Sequence, residues 1–350
     1  MPDYALIAAE FALGRPGAVT ALAGGGPGVV KLTTAGGDVK PCRDRTSAEL
    51  YDRVAVVLGA AGIRQALPRR TVTGPAVSSS GHAVQEFLPG QISLRPTAAQ
   101  TAATMRHVAE YHTALAQVRP PAALRVADSI WKRLASAEYL VRAMPGLLRD
   151  PGPPLDAGPP PDAGPPRDPE PPRDPGPWPE PERPRDCGNV IAVALGRLAD
   201  ALPLLRRLPA QLVHGDIGPD NVLMDGDRVV AIIDFTAHEQ PFLFALCTAV
   251  YWYHVYGHDD LDFGAVAASL AAARAARPWT ELEAAAWPAM LIRESLRRLA
   301  TTLAVARAAG TAADPAAAAS RYLAVRSVIL AWPELTGLAL SRAGRRRAKP

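Results

Sequence analysis

Apolar positions follow two different periods along this chain. Near the N-terminus, Val19 to Leu22 and Val29 to Thr33 are short β-branched runs separated by Gly24-Gly25-Gly26-Pro27-Gly28. A second turn, Ala35-Gly36-Gly37, leads into Asp38-Val39-Lys40-Pro41. Such runs between glycine turns predict three short strands of an antiparallel sheet. From Thr46, with Ser47 placed to cap, the period lengthens: Leu50, Val54, Val57, Leu58 and Ala61 share one helical face. Gln65 to Val72 and His82 to Phe87 read as two more strands, the second running into Glu86-Phe87-Leu88-Pro89-Gly90. Beyond Gly90 the pattern is helical and alanine-rich. One helix runs from Pro96 to about Gln117, with Ala102, Met105, Ala109, His112 and Ala116 on a stripe where His112 reads as a satisfied core histidine. Others are expected at Ser129–Met144, Val190–Leu208, Pro241–Tyr256, Asp262–Arg274, Glu281–Ala309 and Pro315–Trp332.

Residues 151–186 interrupt this pattern with 16 prolines and near-repeats such as DAGPPPDAGPP. Proline at that density rules out helix and central strand, so an extended, charged, disordered insert is expected. Its PxxP-like register suits an SH3-type partner through polyproline geometry, although a tolerated surface insertion is the plainer reading.

Composition narrows the class. With 350 residues and 48% hydrophobic content, the chain is long enough for one large or two moderate domains with a real core. Cys42, Cys187 and Cys247 are odd in number and widely spaced, without a CxxC or metal-type His partners, which fits a reducing cytosol rather than a disulfide frame or zinc site. Asp3 and Glu10 sit where a signal peptide would be basic, and no apolar run approaches the ~20 residues of a membrane span; a soluble, cytoplasmic protein is expected. The net charge of +4 comes in part from Arg345-Arg346-Arg347 and Lys349 at the tail. No basic stripe interleaved with aromatics accompanies it, so nucleic acid is not an expected partner.

The chemistry concentrates in Leu212 to Phe235, LVHGDIGPDNVLMDGDRVVAIIDF. Val222-Leu223-Met224 and Val229 to Ile233 flank Asp225-Gly226-Asp227, which predicts a β-hairpin. Asp216 and Asn221 precede its first strand and Asp234 follows its second, so three carboxylate or amide groups gather at one end of a rigid element. Any one of them alone would suit an ordinary Asp/Asn-rich surface turn. Together, the spacing HxDxxxxN followed by a strand ending in Asp resembles the catalytic and metal-binding loops of protein kinases and their small-molecule relatives. Gly215 and the Ile-Asp-Phe ending make it most similar to the aminoglycoside phosphotransferase, choline kinase and homoserine kinase-like group.

That resemblance implies an α+β, two-lobed, protein-kinase-like fold: a small antiparallel-sheet lobe over residues 1–88 and a larger, mainly helical lobe over 89–350. It implies an ATP- and Mg²⁺-dependent phosphotransferase acting on a small-molecule hydroxyl, with Asp216 as proton acceptor and Asn221 and Asp234 as oxygen ligands of the metal. His214 would be a packing and hydrogen-bonding residue of the loop. Lys40, with Arg43 as fallback, would hold the α- and β-phosphates, paired with Glu49 or Asp52. Glu86 to Gly90 would form the hinge, where Glu86 and Leu88 offer backbone groups to adenine. A catalytically silent nucleotide-binding or scaffold protein is the alternative; a protein kinase is disfavoured because Thr236, not Gly, follows Phe235.

Residues 241–350 carry 13 Arg and Lys against 8 Asp and Glu, which favours a hydroxy amino acid or amino alcohol acceptor over a polycationic aminoglycoside. Asp259, Asp260 and Asp262 are where a cationic antibiotic would be sought. Tyr251, Trp252, Tyr253 and Tyr256 are expected to pack in the core, with one wall of an ammonium pocket as the functional alternative. Arg293, Arg297 and Arg298 are expected on a solvated or ion-paired face, with one of them able to reach a substrate carboxylate.

Overall fold

The computed structural model describes residues 3–21, 30–34, 37–42, 48–75, 77–80, 82–120, 133–149, 187–258, 260–308 and 313–340. The glycine run 24–28, most of the second turn, Arg43, Thr46, Ser47, the start of the helix expected at Ser129, the insert 151–186, Asp259 and the basic tail lie outside them, as do the side chains of Lys40 and Glu49.

Strands β1 (Pro16–Ala21), β2 (Val30–Thr34), β3 (Gly37–Cys42) and β4 (Ala83–Glu86) form a four-stranded antiparallel sheet in that order. Leu32 stands opposite Val39, and Lys40 opposite Gln85. A helix absent from the sequence expectation, α1 (Tyr4–Glu10), covers the sheet. Asp3 caps it, its carboxylate accepting from the Ala5 and Leu6 N–H groups at 3.0 and 3.1 Å. Two turns are too short to show a periodic stripe, but Ile7, Ala8, Phe11 and Leu13 close a small core on Leu32 and Val84. Residues 65–72 are not the expected strand. Gln65 and Pro68 make only single bridges, to Ile232 and Gln85, and Pro68 has no N–H to add to the second of them.

Helix α2 (Ala48–Ala60) turns Leu50, Tyr51, Val54 and Leu58 into the large core formed mainly by the helices that follow. These are α3 (Ala98–Leu115), α4 (Ala137–Arg149), α5 (Cys187–Leu205), α6 (Phe242–Val250), α7 (Phe263–Ala276), α8 (Glu281–Ala308), α9 (Pro315–Leu330) and α10 (Trp332–Leu340). Thr97 and Gln100 cap α3 reciprocally, whereas Ala116 falls on its C-cap and is exposed rather than on the buried stripe. Within α5, Gly188–Leu205 is apolar and long enough to cross a membrane by length and composition; Ile191, Ala194 and Leu198 on it pack into the core. Helix α8 lies against α4, α5, α6, α9 and α10 and is buried on every side from Ala286 to Ala300.

Two small sheets rest on this helical body. Strand β5 (Gln91–Ile92) pairs with the hairpin β7 (Val222–Asp225) and β8 (Arg228–Ile232), whose turn uses Gly226 at φ +58°. Strand β6 (Ala210–His214) pairs antiparallel with β9 (Ala237–Pro241). The chain therefore leaves β6, runs through the Asp216 loop and the hairpin, and returns beside its starting point.

Candidate active site

A chain of hydrogen bonds from the helical core fixes the loop that follows β6. His112 Nδ1 donates to the Val108 carbonyl one turn back in α3 (2.7 Å), so its Nε2 is an acceptor, and it takes the His214 backbone N–H (3.2 Å). The His214 Nδ1 in turn accepts the Asp216 N–H (3.2 Å), while its Nε2 donates to the Ile233 carbonyl (3.0 Å). Both rings must be neutral for this pattern to hold. Burial supplies the reason, pushing His112 down to about 3 and His214 below its ordinary value. His214 is thus the packing and hydrogen-bonding residue expected, and His112 does more than fill core space.

Gly215 lies so close to the His238 ring on β9 that a Cβ there would overlap it, and its N–H donates to the Thr236 carbonyl (2.8 Å). Asn221 ends a short 3₁₀ turn, Pro219–Asn221, and its Nδ2 donates to the Asp216 carbonyl (2.9 Å). The Asn221 carbonyl accepts the Ile233 N–H (2.9 Å), tying the loop to the end of β8. Asp234 comes next, at φ +54°; Ala12 is the other described non-glycine residue in that region. The structure therefore brings Asp216, Asn221 and Asp234 to one end of the hairpin.

Asp220 joins them. Burial, then the charge of Asp216 and more weakly that of Asp234, raise it to about 6. Sequence reasoning passed over it, although an acidic side chain beside Asn221 was the available signal. Among the described residues no group of three His, Cys, Asp or Glu side chains converges on one metal position. The Asn221 amide oxygen and the Asp234 carboxylate are hard donors amid mutually repelling carboxylates. Such a partial oxygen set fits a cation that keeps waters and shares phosphate ligands.

The partner of Asp216 comes from α8. Arg298 Nη2 donates to Asp216 Oδ1 at 2.8 Å, and Arg298 Nε donates to Glu294 Oε1, also at 2.8 Å. Arg297 closes a fork on the same Glu294 carboxylate at 2.7 and 2.6 Å. Burial opposes ionisation of both acids; the adjacent guanidinium groups prevail, holding Asp216 below the usual carboxylate range and Glu294 at about 2. Asp216 Oδ2 is bonded by none of the described residues, and the Asp216 side chain stays 24% exposed.

Of the two alternatives for the three arginines, the ion-paired one holds for Arg297 and Arg298, and all three are buried rather than solvated. Glu294 and Asp216 together match the charges of the buried Arg297 and Arg298, and Arg293 donates to Gln240 Oε1 (3.1 Å) while lying 4.5 Å from the Phe244 ring centre. The aromatic group beyond α6 is occupied as well. Residues Tyr251–Val255 widen into a π-helical turn, and Arg298 and Arg321 lie 4.6 and 4.8 Å from the Trp252 ring centre. Arg321 also stands 4.0 Å from Tyr256 and donates to the Tyr251 hydroxyl (3.0 Å). Tyr251, Trp252 and Tyr256 thus pack with the protein's own arginines, in line with the expected core role.

The nucleotide-side expectations fare unevenly. Lys40 and Glu49 lie on β3 and α2. Asp52, the alternative partner of the strand lysine, instead accepts from Arg70 Nε at 2.8 Å on the surface. Glu86 ends β4 and meets Arg64 at 3.2 Å, also exposed. Leu88 is buried against Ala66, Leu223 and Ala231, and Gly90 at φ +147° lies against the Leu223 Cβ, so this segment fastens the first sheet to the hairpin.

A small antiparallel sheet, a helical body and a loop-and-hairpin carrying Asp216, Asn221 and Asp234 define a protein-kinase-like fold. It is shared with solved structures over nearly their whole lengths. An aminoglycoside phosphotransferase from Alicyclobacillus acidocaldarius aligns with TM-score 0.56 at 17% identity, covering 100% of this chain and 97% of that one. An amicoumacin kinase in complex with AMP-PNP and Ca²⁺ aligns at 0.58 and 16%, covering 92% and 91%. A choline/ethanolamine kinase family protein from Mesorhizobium loti aligns at 0.56 and 14%, covering 94% and 93%. Residues 23–279 match the sequence profile of the phosphotransferase enzyme family (APH), and the chain belongs to that family. The homoserine kinase of Methylobacillus flagellatus is 44% identical over 93 residues, 26% of this chain and 29% of that enzyme. That of Pseudomonas aeruginosa is 34% identical over 112 residues, 32% and 35% respectively. These matches span about a third of the curated relatives' length.

Proposed function

We propose that this protein transfers the γ-phosphoryl group of ATP, with Mg²⁺, to a hydroxyl of a small acceptor, with Asp216 accepting the hydroxyl proton. The observation that carries this reading is the state of the Asp216 carboxylate: one oxygen is bonded to Arg298, the other has no bond from the described residues on a partly exposed side chain, and Asn221 and Asp234 stand at the same end of the hairpin. Phosphoryl transfer asks the protein mainly for positioning and charge compensation, and an ionised carboxylate in a braced loop meets the first need. Asn221 Oδ1 and the Asp234 carboxylate would hold Mg²⁺, which when bound neutralises phosphate charge. Lys40 on β3 would meet the α- and β-phosphates.

For the acceptor, the cationic side of the site disfavours a polycation. Arg298 and Arg321 already cover Trp252, so the ring does not attract an ammonium group. A hydroxy amino acid is favoured, in keeping with the homoserine kinases among the relatives. The test is ADP release from Mg²⁺-ATP with a panel of hydroxy amino acids, amino alcohols and aminoglycosides. Asp216→Asn should lower turnover by roughly 10²–10⁴-fold while leaving nucleotide affinity nearly intact. Turnover within a few-fold of wild type would remove Asp216 from the role, and turnover of aminoglycosides alone would overturn the acceptor class.

A further inference from the structure

Asp216 is braced from two directions, and the second is unexpected. The loop holds its backbone: the N–H lies on His214 Nδ1 and the carbonyl on Asn221 Nδ2. Neither contact fixes the rotation of the carboxylate. That is done by a side chain 82 residues further along, the guanidinium of Arg298 on Oδ1. A long arginine side chain would ordinarily sample many rotamers, but this one is immobilised. Its Nε is bonded to Glu294, which is itself forked by Arg297, and its guanidinium carbon lies 4.6 Å from the Trp252 ring centre. Glu294 and Arg298 are one turn apart on a helix buried on every side, so the pair moves only with the core.

We infer that Arg298, oriented by Glu294, is a positioning residue for the transfer reaction: it locks the Asp216 carboxylate through Oδ1 so that Oδ2 is presented to the acceptor hydroxyl. The inference rests on the reading of Asp216 as proton acceptor. One donor per oxygen divides the labour, since the bonded oxygen sets direction and the other remains to take the proton. Arg293, on the same helix and equally buried, is turned to Gln240 and Met290 and has no part in this.

The experiment compares Arg298→Met, Arg298→Lys, Arg293→Met and Asp216→Asn in the full-length protein, with kcat and the nucleotide KM normalised to the folded fraction. Arg298→Met should lower kcat by roughly 10²-fold, the scale of an ångström-level misplacement, with the nucleotide KM within a few-fold of wild type. Arg298→Lys keeps a charge but cannot bridge Glu294 and Asp216 with one planar fork, and should recover part of that loss. Arg293→Met should lower stability and leave kcat close to wild type. If Arg298→Met costs no more kcat than Arg293→Met while Asp216→Asn abolishes turnover, the positioning role is wrong and Asp216 still stands. If Asp216→Asn turns over normally, the assignment of the base has failed and the inference falls with it.

Discussion

Ion pairs of the same chemistry occur at both ends of this molecule, in opposite surroundings. Beside the four-stranded sheet, Arg64 and Glu86 meet with 51% and 53% of their side chains exposed, and Arg70 and Asp52 with 42% and 52%. In the helical body, Glu294 is wholly buried between Arg297 and Arg298 at 10% and 5% exposure. Water screens the first pairs and leaves them free to rearrange; the second have no solvent to replace a lost partner. The body can therefore hold a carboxylate in one direction, as it holds Asp216. The sheet is built around the small core of Ile7, Phe11, Leu13, Leu32 and Val84, and the two ion pairs described beside it lie on the outside.

The largest effect that would break this contrast is loss of the buried charge. Glu294→Gln leaves the buried Arg297 without a carboxylate and Arg298 with Asp216 alone, and should destabilise the fold by about 3–5 kcal/mol in chemical denaturation. A loss below about 1 kcal/mol would place the cluster in water after all. Acid probes the same body. His112 is held near 3 against an ordinary 6.5, so between those values the unfolded chain binds a proton that the folded one refuses. Stability should therefore fall as pH drops from 6.5 towards 3, and His112→Gln should make that slope shallower by about one proton. Equal slopes would show that His112 is protonated in the folded state. Glu294, depressed to about 2, adds stability that is present above its ordinary 4.5 and lost as pH falls towards 2.

Gly215→Ala should cost about 1–3 kcal/mol, because the new methyl group must displace the His238 ring or the loop. Thermal unfolding indistinguishable from wild type would mean that the loop has slack. The smallest effects belong to the sheet side. Glu86→Gln and Asp52→Asn should each change stability by less than about 1 kcal/mol, and a larger loss for either would show that the exposed pairs are as constrained as the buried ones.

The hairpin could be read from the chain because everything that specifies it is local. Two β-branched runs flank an Asp-Gly turn, and Asp216, Asn221 and Asp234 lie within a few residues of its ends. The apolar stripes of α2 and α3 were legible for the same reason. Helix α1 was not, since two turns leave only the Asp3 cap as a signal. Residues 65–72 looked like a strand by composition, yet they make only the isolated bridges of Gln65 and Pro68.

Sequence alone thus determined the pattern of elements and the chemistry gathered in one short loop, because both follow from neighbours along the chain. Tertiary structure decided which charges are inside. Arg293, Glu294, Arg297 and Arg298 have the spacing of a wet helical face, and only enclosure of α8 by the helices around it places them in the core. There a guanidinium must find a carboxylate or pay the cost of desolvation, and for Arg298 those carboxylates are Glu294 one turn back and Asp216 82 residues away. No local period records such a contact; it arises from the requirement that a buried charge be matched.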